Sequence, residues 1–245
     1  MMRRVLTIAR AVFLDSIRRR ILLVVLVFAG IMVAFIPALP DYGLGVQAAV
    51  YGEIALAVTF ATAAVVVVGL AVTRIPSEIE RRTVYSVLAR PVPRWEYLCG
   101  TWLGTFATAG MLIAAFTVVD QIVALVTYGE PMWLLWLGAV GIWLEMGVIA
   151  AFAHSVSTIV SPITAVVASI AFLFIGHSRS TLLGEEGALA LRAFYPSLDA
   201  FNIVAPVTHG AGVPPIYLLS MVVVFIGFVG LLLALGALLM GSRDL

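Results

Sequence analysis

Long apolar stretches alternate with short polar connections along the chain. Six stretches predict membrane-crossing helices, each near the roughly 20 residues needed to cross about 30 Å of hydrocarbon. They cover residues 21–39, 53–73, 98–126, 132–153, 162–176 and 214–240. The pattern predicts an all-α polytopic membrane protein with six transmembrane helices, in which residues 1–245 form a single transmembrane domain.

The segment before the first apolar stretch is amphipathic. On a helix, its apolar side chains share one arc, namely Val5, Ile8, Ala9, Val12, Phe13 and Ile17, and the other arc carries Arg3, Arg4, Arg10, Asp15 and Arg18. A basic face opposite an apolar face is typical of a helix on the membrane surface, so residues 1–20 predict an N-terminal interfacial helix. A cleaved signal peptide is disfavoured because residues 21–39 are too long for its apolar core and no small-residue cleavage site follows.

A charged run, residues 74–97, separates the second and third apolar stretches. It holds five of the fourteen basic residues and three of the thirteen acidic residues. After Pro76, the pattern Ser77-x-x-Glu80 is typical of a capping box, and Pro91 ends the helical pattern. The run therefore predicts a helix of about three turns between spans two and three.

The distribution of arginine predicts the orientation of the chain. With the N-terminus in the cytoplasm, twelve arginines lie inside and only Arg179 and Arg192 lie outside, as the positive-inside rule requires. Six spans then place both termini and segment 74–97 in the cytoplasm. The longer connection, 177–213, becomes an external segment between spans five and six.

Composition supports a membrane protein and narrows its chemistry. Hydrophobic residues make up 63% of the chain and charged residues 11%, against about 45–50% and 25% in soluble domains. All fourteen basic residues are arginine, so the chain lacks the lysine of a P-loop and has no ATPase site of its own. Cys99 is the only cysteine, which excludes an intrachain disulfide.

Three motifs in sequence order resemble the type-2 ABC transporter permease family, and most closely its multi-copper enzyme maturation branch. They are Glu78-Ile-Glu-Arg-Arg-Thr83, Leu88-Ala-Arg-Pro-Val-Pro-Arg94 and Gly100-x-x-x-Gly104. Two further segments, 196–203 and the terminal Ser242-Arg-Asp-Leu245, also resemble the family. Many members carry glycine where this chain has Arg82, so the local start of the helix differs.

The resemblance implies a dimer of identical or homologous permeases, each bound to one copy of a separate ATPase chain that holds ATP and Mg. The interfacial helix and the cytoplasmic segment, called the coupling helix, would contact that ATPase. The coupling residues would be Glu78, Glu80, Arg81, Arg82, Thr83, Arg90, Pro91 and Arg94. The alternative interpretation of these charges is a solvated face that serves only the membrane orientation.

Two acidic residues fall inside predicted spans. Asp120 lies in span three and Glu145 in span four, where an ionisable group costs about 2.5–3.5 kcal/mol on insertion scales and usually faces the bundle interior. They predict either a polar lining of a translocation path, or a proton relay, or interhelical hydrogen bonds to Gln121, threonine or tryptophan. We expect the two at different depths and do not pair them, and Glu53 is expected to cap the outer end of span two.

The remaining candidate chemistry is weak. His154 is expected inside, near Ser155, Ser157 and Ser161 in a short cytoplasmic turn, and His177 and His209 outside; they are too few and too loosely spaced for a metal site. Neither a GxSxG nucleophile motif nor an HExxH motif is present, so an intramembrane enzyme is disfavoured. Gly100-x-x-x-Gly104 permits close helix packing, within the chain or at a dimer seam.

The sequence therefore predicts the permease subunit of an ATP-driven exporter in a prokaryotic plasma membrane. Expected partners are the ATPase, a second permease, lipid and, at the external segment, an accessory protein; no cofactor in this chain and no nucleic acid is expected. An ion-gradient-driven secondary transporter and a non-transporting assembly or anchor subunit stay open as alternatives. The sequence does not select among lipid, peptide, drug, saccharide and ion substrates.

Overall fold

The computed structural model of the chain describes residues 2–18, 21–35, 46–80, 93–178 and 197–241. These residues form eight α-helices and one 3-10 turn, Leu198–Phe201. The helices are α1 (Met2–Arg18), α2 (Ile21–Phe35), α3 (Val46–Glu80), α4 (Arg94–Tyr128), α5 (Leu135–Ser157), α6 (Pro162–His177), α7 (Val204–Thr208) and α8 (Pro215–Gly241). No strand occurs in these ranges, so the predicted all-α class is confirmed for them.

Four helices are long and apolar enough to cross a membrane. They are α4, α5, α8 and the Val46–Arg74 part of α3, and they correspond to predicted spans three, four, six and two. Helices α2 and α6 have 15 and 16 residues, which at about 1.5 Å per residue fall short of a hydrocarbon layer of about 30 Å. A membrane-embedded helical protein is therefore supported, with four of the six predicted spans.

Helix α5 forms the centre of the bundle. It packs against α3, α4, α6 and α8. Of its most apolar segment, 72% is buried, against 17% of the corresponding segment of α8. The exposed side chains of α8 are large and apolar, including Leu219, Ile226 and Leu238. A contiguous apolar surface of this kind is stable only against lipid or another apolar partner.

Helix α1 packs along the first half of α4. A Cβ atom added at Gly104 would lie 2.5 Å from Val12 Cβ and 2.7 Å from the Ala9 carbonyl oxygen, and one at Gly100 would lie 2.8 Å from Ile8. The predicted GxxxG contact is therefore an intrachain contact. The predicted amphipathic helix is present, but its most buried face rests on protein, while Leu6 remains exposed beside it.

Helix α3 corrects the predicted start of the coupling helix. The sequence predicts a separate helix that begins at Ser77, whereas α3 runs without a break through Pro76 and Ser77 to Glu80. A proline inside a helix removes one backbone hydrogen-bond donor. Because the turns of α3 before Pro76 are already held by packing, the helix continues through the proline instead of starting again after it. The rest of the predicted coupling helix, residues 81–90, lies outside the described residues.

Candidate functional site

Three of the predicted coupling residues, Glu78, Glu80 and Arg94, lie at one end of the bundle, which we call the inner end. Glu78 and Glu80 belong to the last turn of α3, and Arg94 is the first residue of α4. Arg81, Arg82, Thr83, Arg90 and Pro91 lie outside the described residues. The structure therefore places three of the eight predicted coupling residues at the two helix ends that border this segment.

Arg94 has an intramolecular role that the sequence does not show. Its guanidinium donates to the carbonyl oxygens of Met240 and, at 3.1 Å, of Gly241. These carbonyls end α8, where a helix has unpaired acceptors and a partial negative charge. Arg94 therefore fixes the start of α4 to the end of α8.

A second charged contact joins α1 to α3. The Arg74 guanidinium lies 2.7 Å from the Asp15 carboxylate, and the Arg74 side chain is only 16% exposed. Arg3, Arg4 and Arg10 are exposed on α1, and Arg18 is its last residue. The predicted basic face of α1 is thus present, and Asp15 on that face contacts protein.

Glu96 is an inner-end residue that the sequence analysis missed. It lies in the first turn of α4, is 4% exposed, and its Oε2 has no hydrogen-bond partner within the described ranges. Acidic residues are favoured at helix N-termini. The position of Glu96 two residues after Arg94 could have marked it as a candidate in the sequence. The burial of its side chain could not be deduced from that position.

Asp120 faces α3. Its Oδ2 accepts a long hydrogen bond, 3.5 Å, from the Thr59 hydroxyl, and its backbone carbonyl accepts one of 3.3 Å from the Tyr51 hydroxyl. Asp120 Oδ1 has no partner among the residues described. Of the predicted interhelical partners, threonine is the one used, since Gln121 donates to the Met132 carbonyl instead.

Glu145 faces α6. It lies at the middle of α5, with its side chain 3% exposed, and its Oε1 is 3.4 Å from His177 Nε2. That contact does not meet hydrogen-bond geometry, and Oε1 has no other partner in the described part of the chain. The two spanning acids thus have different partners, as expected, and His177 is the last residue of α6 instead of a residue of a free loop.

Glu145 and His177 line a cavity of about 410 Å³. Its other polar residues are Glu53 of α3 and Asn202, which follows the 3-10 turn. Glu53 Oε1 lies 3.1 Å from His209 Nε2, and both side chains are about half exposed. The cavity therefore extends from an accessible polar rim at Glu53 to a buried carboxylate at Glu145.

His154 is buried, contrary to the expected cytoplasmic turn. It lies in the last turn of α5, is fully buried, and its Nε2 is 3.0 Å from the Thr105 hydroxyl of α4. Ser155 donates to the Leu232 carbonyl of α8. Short polar side chains that donate hydrogen bonds to backbone carbonyls are common where two membrane helices pack together. This polar stretch can therefore belong to α5 and need not form a turn.

The described residues contain no group of three potential metal ligands. Comparison of the chain with protein-family models gives no match, and comparison with curated proteins gives none either. The described part of the chain thus has two candidate functional features. One is the charged inner end, where one contact joins α1 to α3 and another joins α4 to α8; the other is the acidic cavity at the opposite end of the bundle.

Proposed function

We propose that this chain is the permease subunit of an ATP-driven ABC-type exporter, whose separate ATPase chain binds ATP and Mg. The observation that carries the proposal is the joined inner end. Asp15–Arg74 connects α1 to α3, and Arg94 connects α4 to α8. A partner that moves segment 74–97 would move four helices together.

Helix α3 provides the path from that end to the polar sites. Its 35 residues extend about 52 Å at 1.5 Å per residue, from Glu80 at the inner end to Val46. The same helix supplies Thr59 to Asp120 and Glu53 and Phe60 to the cavity. Displacement of its inner end would therefore change both the Asp120 contact and the shape of the cavity.

In this proposal the chain has six spans, with α2 and α6 among them. Both termini lie in the cytoplasm of a prokaryotic cell, and residues 177–213 form an external segment. Two permeases and two ATPase chains form the complete transporter, and the exposed apolar face of α8 is available to lipid or to the second permease. The resemblance of the 78–94 motifs to the type-2 permease family supports this arrangement.

Copurification tests the proposal directly. The chain, purified from its native membrane in a mild detergent, should retain a P-loop ATPase in a one-to-one ratio. A preparation that contains no ATPase, while the chain remains folded and dimeric, would contradict the proposal.

Charge reversal tests the coupling surface. The double variant Glu78→Lys/Glu80→Lys should lose substrate-stimulated ATP hydrolysis, while its insertion into the membrane is unchanged. Glu130→Lys is the matched control, because Glu130 is an exposed acid in the loop between α4 and α5. Equal ATPase activity in the double variant and the control would remove the coupling assignment.

A second candidate is an ion-gradient-driven transporter, which the burial of Asp120 and Glu145 favours. Intramembrane acids of this kind occur in proton relays. The chain alone in proteoliposomes distinguishes the two candidates. Solute movement driven by an imposed proton gradient without ATPase would favour the second candidate; we expect none.

A further inference from the structure

The cavity beside Glu145 has an organised lining. Helices α3, α5 and α6 form its walls, and the segment from the 3-10 turn to α7 covers it. Most of its lining is apolar, and its volume of about 410 Å³ lies in the range of sites for small organic ligands. The residues that determine its chemistry are Glu53, Phe60, Glu145, His177, Phe201 and Asn202.

Acidic side chains outnumber basic ones among the described residues that line the cavity. Glu145 is buried with an oxygen that has no hydrogen-bond partner in the described ranges, and Asp199 belongs to the 3-10 turn whose Phe201 lines the cavity. Glu53 places a third carboxylate at the rim. The only basic side chain among the described lining residues is His177. A cation close to a buried carboxyl group favours the ionised form of that group.

Aromatic rings line the same cavity as this carboxylate. Phe60 contacts the His177 ring edge-on, with centroids 5.6 Å apart, and Phe201 is 1% exposed in the lining. Aromatic faces attract organic cations, and more strongly when water is excluded. Carboxylate, aromatic rings and apolar walls together favour a cation that carries apolar groups.

We propose that this cavity binds an organic monocation with an apolar body, whose charged nitrogen lies beside Glu145 and Phe60. The three carboxylates disfavour an anion. A neutral ligand would add no positive charge beside Glu145, where His177 is the nearest basic side chain described, and a bare metal ion would lack ligands, since the described residues contain no group of three. Binding is a property of this chain alone; that the ligand is also the exported substrate rests on the proposed function.

The test uses the purified full-length chain in a neutral maltoside detergent. Radiolabelled benzyltrimethylammonium is the probe, and neopentylbenzene, its uncharged isostere with carbon in place of nitrogen, is the competitor. We expect saturable binding of the cation and no competition by the isostere. Glu145→Gln should weaken binding about tenfold or more, because it removes a buried charge partner.

Matched variants separate the site from the fold. Glu130→Gln makes the same chemical change on an exposed loop and should leave affinity unchanged, and Glu145→Asp, which keeps the charge, should retain more affinity than Glu145→Gln. Phe60→Leu keeps an apolar wall without the aromatic face and should weaken binding of the cation. If Glu145→Gln fails to fold, Phe60→Leu and the isostere decide.

Three outcomes would overturn the inference: no saturable binding, equal affinity in Glu145→Gln and Glu130→Gln, or equal binding of the cation and its isostere. The ATPase takes no part in this measurement. Failure to bind the cation therefore leaves the permease proposal standing, and failure to find an ATPase leaves the binding site standing.

Discussion

The Asp15 carboxylate of α1 lies 2.7 Å from the Arg74 guanidinium of α3. The two residues are 59 positions apart, and their contact joins the N-terminal helix to the helix that leads into the charged segment. Asp15 is about half exposed, while Arg74 is mostly buried. The pair therefore joins two helices at the inner end, and as a partly exposed ion pair it contributes little to the stability of the fold.

We expect Asp15→Asn to lower the free energy of unfolding by at most about 1 kcal/mol, because partly exposed ion pairs contribute little. In the ABC-type transporter that we propose, the same change should reduce substrate-stimulated ATP hydrolysis. The charge-swapped double variant Asp15→Arg/Arg74→Asp should recover part of it. Thermal unfolding and ATPase assays on all variants check this, and purely additive effects in the double-mutant cycle would contradict the coupling role.

Gly104 is predicted to be the least replaceable residue of the α1–α4 contact. Gly104→Ala places a methyl group against Val12 and the Ala9 carbonyl oxygen, and since backbone must shift, we expect a loss of about 1–3 kcal/mol. Gly230→Ala is the control, because nothing lies within 4 Å of its added Cβ. Thermal unfolding should show the control unchanged or slightly stabilised, and hydrogen exchange should show faster exchange in α1 of Gly104→Ala only.

Arg94→Lys should loosen the end of α8 although it keeps the positive charge. Both hydrogen bonds come from one nitrogen, Nη1, of the rigid guanidinium group, whereas the lysine ammonium is a strongly hydrated point charge on a flexible stem. Hydrogen bonds from charged groups contribute about 1.5–3 kcal/mol. Hydrogen exchange near Met240 should become faster, while Arg10→Lys, an exposed change on α1, should have no effect there. Unaltered exchange at Met240 in Arg94→Lys would show that the contact does not hold the end of α8.

Asp120→Asn should maintain or raise the stability of the protein. The amide keeps the shape of the side chain and does not require a charge to be buried, which is costly inside a membrane. If Asp120 lines the path of the substrate, transport should fall while the unfolding temperature does not. Thr59→Val, which removes the hydrogen-bond donor to Asp120, is the companion variant. A lower unfolding temperature in Asp120→Asn would indicate that Asp120 has a purely structural role.

Parts of the fold could be read from the sequence because they depend on local pattern. Apolar stretches longer than a membrane is thick predicted α3, α4, α5 and α8, and the alternation of arginine and apolar residues predicted α1. The glycine spacing at 100 and 104 predicted a close helix contact, but its partner could be identified only from the position of Val12. The break at Pro76 was predicted wrongly, because the capping rule is local and does not include the buried turns of α3 that precede the proline.

The candidate site depended on tertiary structure. The sequence identified Asp120 and Glu145 as costly residues in apolar surroundings, which follows from composition and transfer free energy alone. It could not pair Glu145 with His177, Asp120 with Thr59 or His154 with Thr105, because those contacts join helices far apart in the chain. The sequence by itself thus determined a helical, membrane-embedded protein, because apolar stretches of this length are a local property of the chain. Only the packing of α3, α5, α6 and the 3-10 turn decided that a buried acid, a histidine and aromatic rings share one cavity.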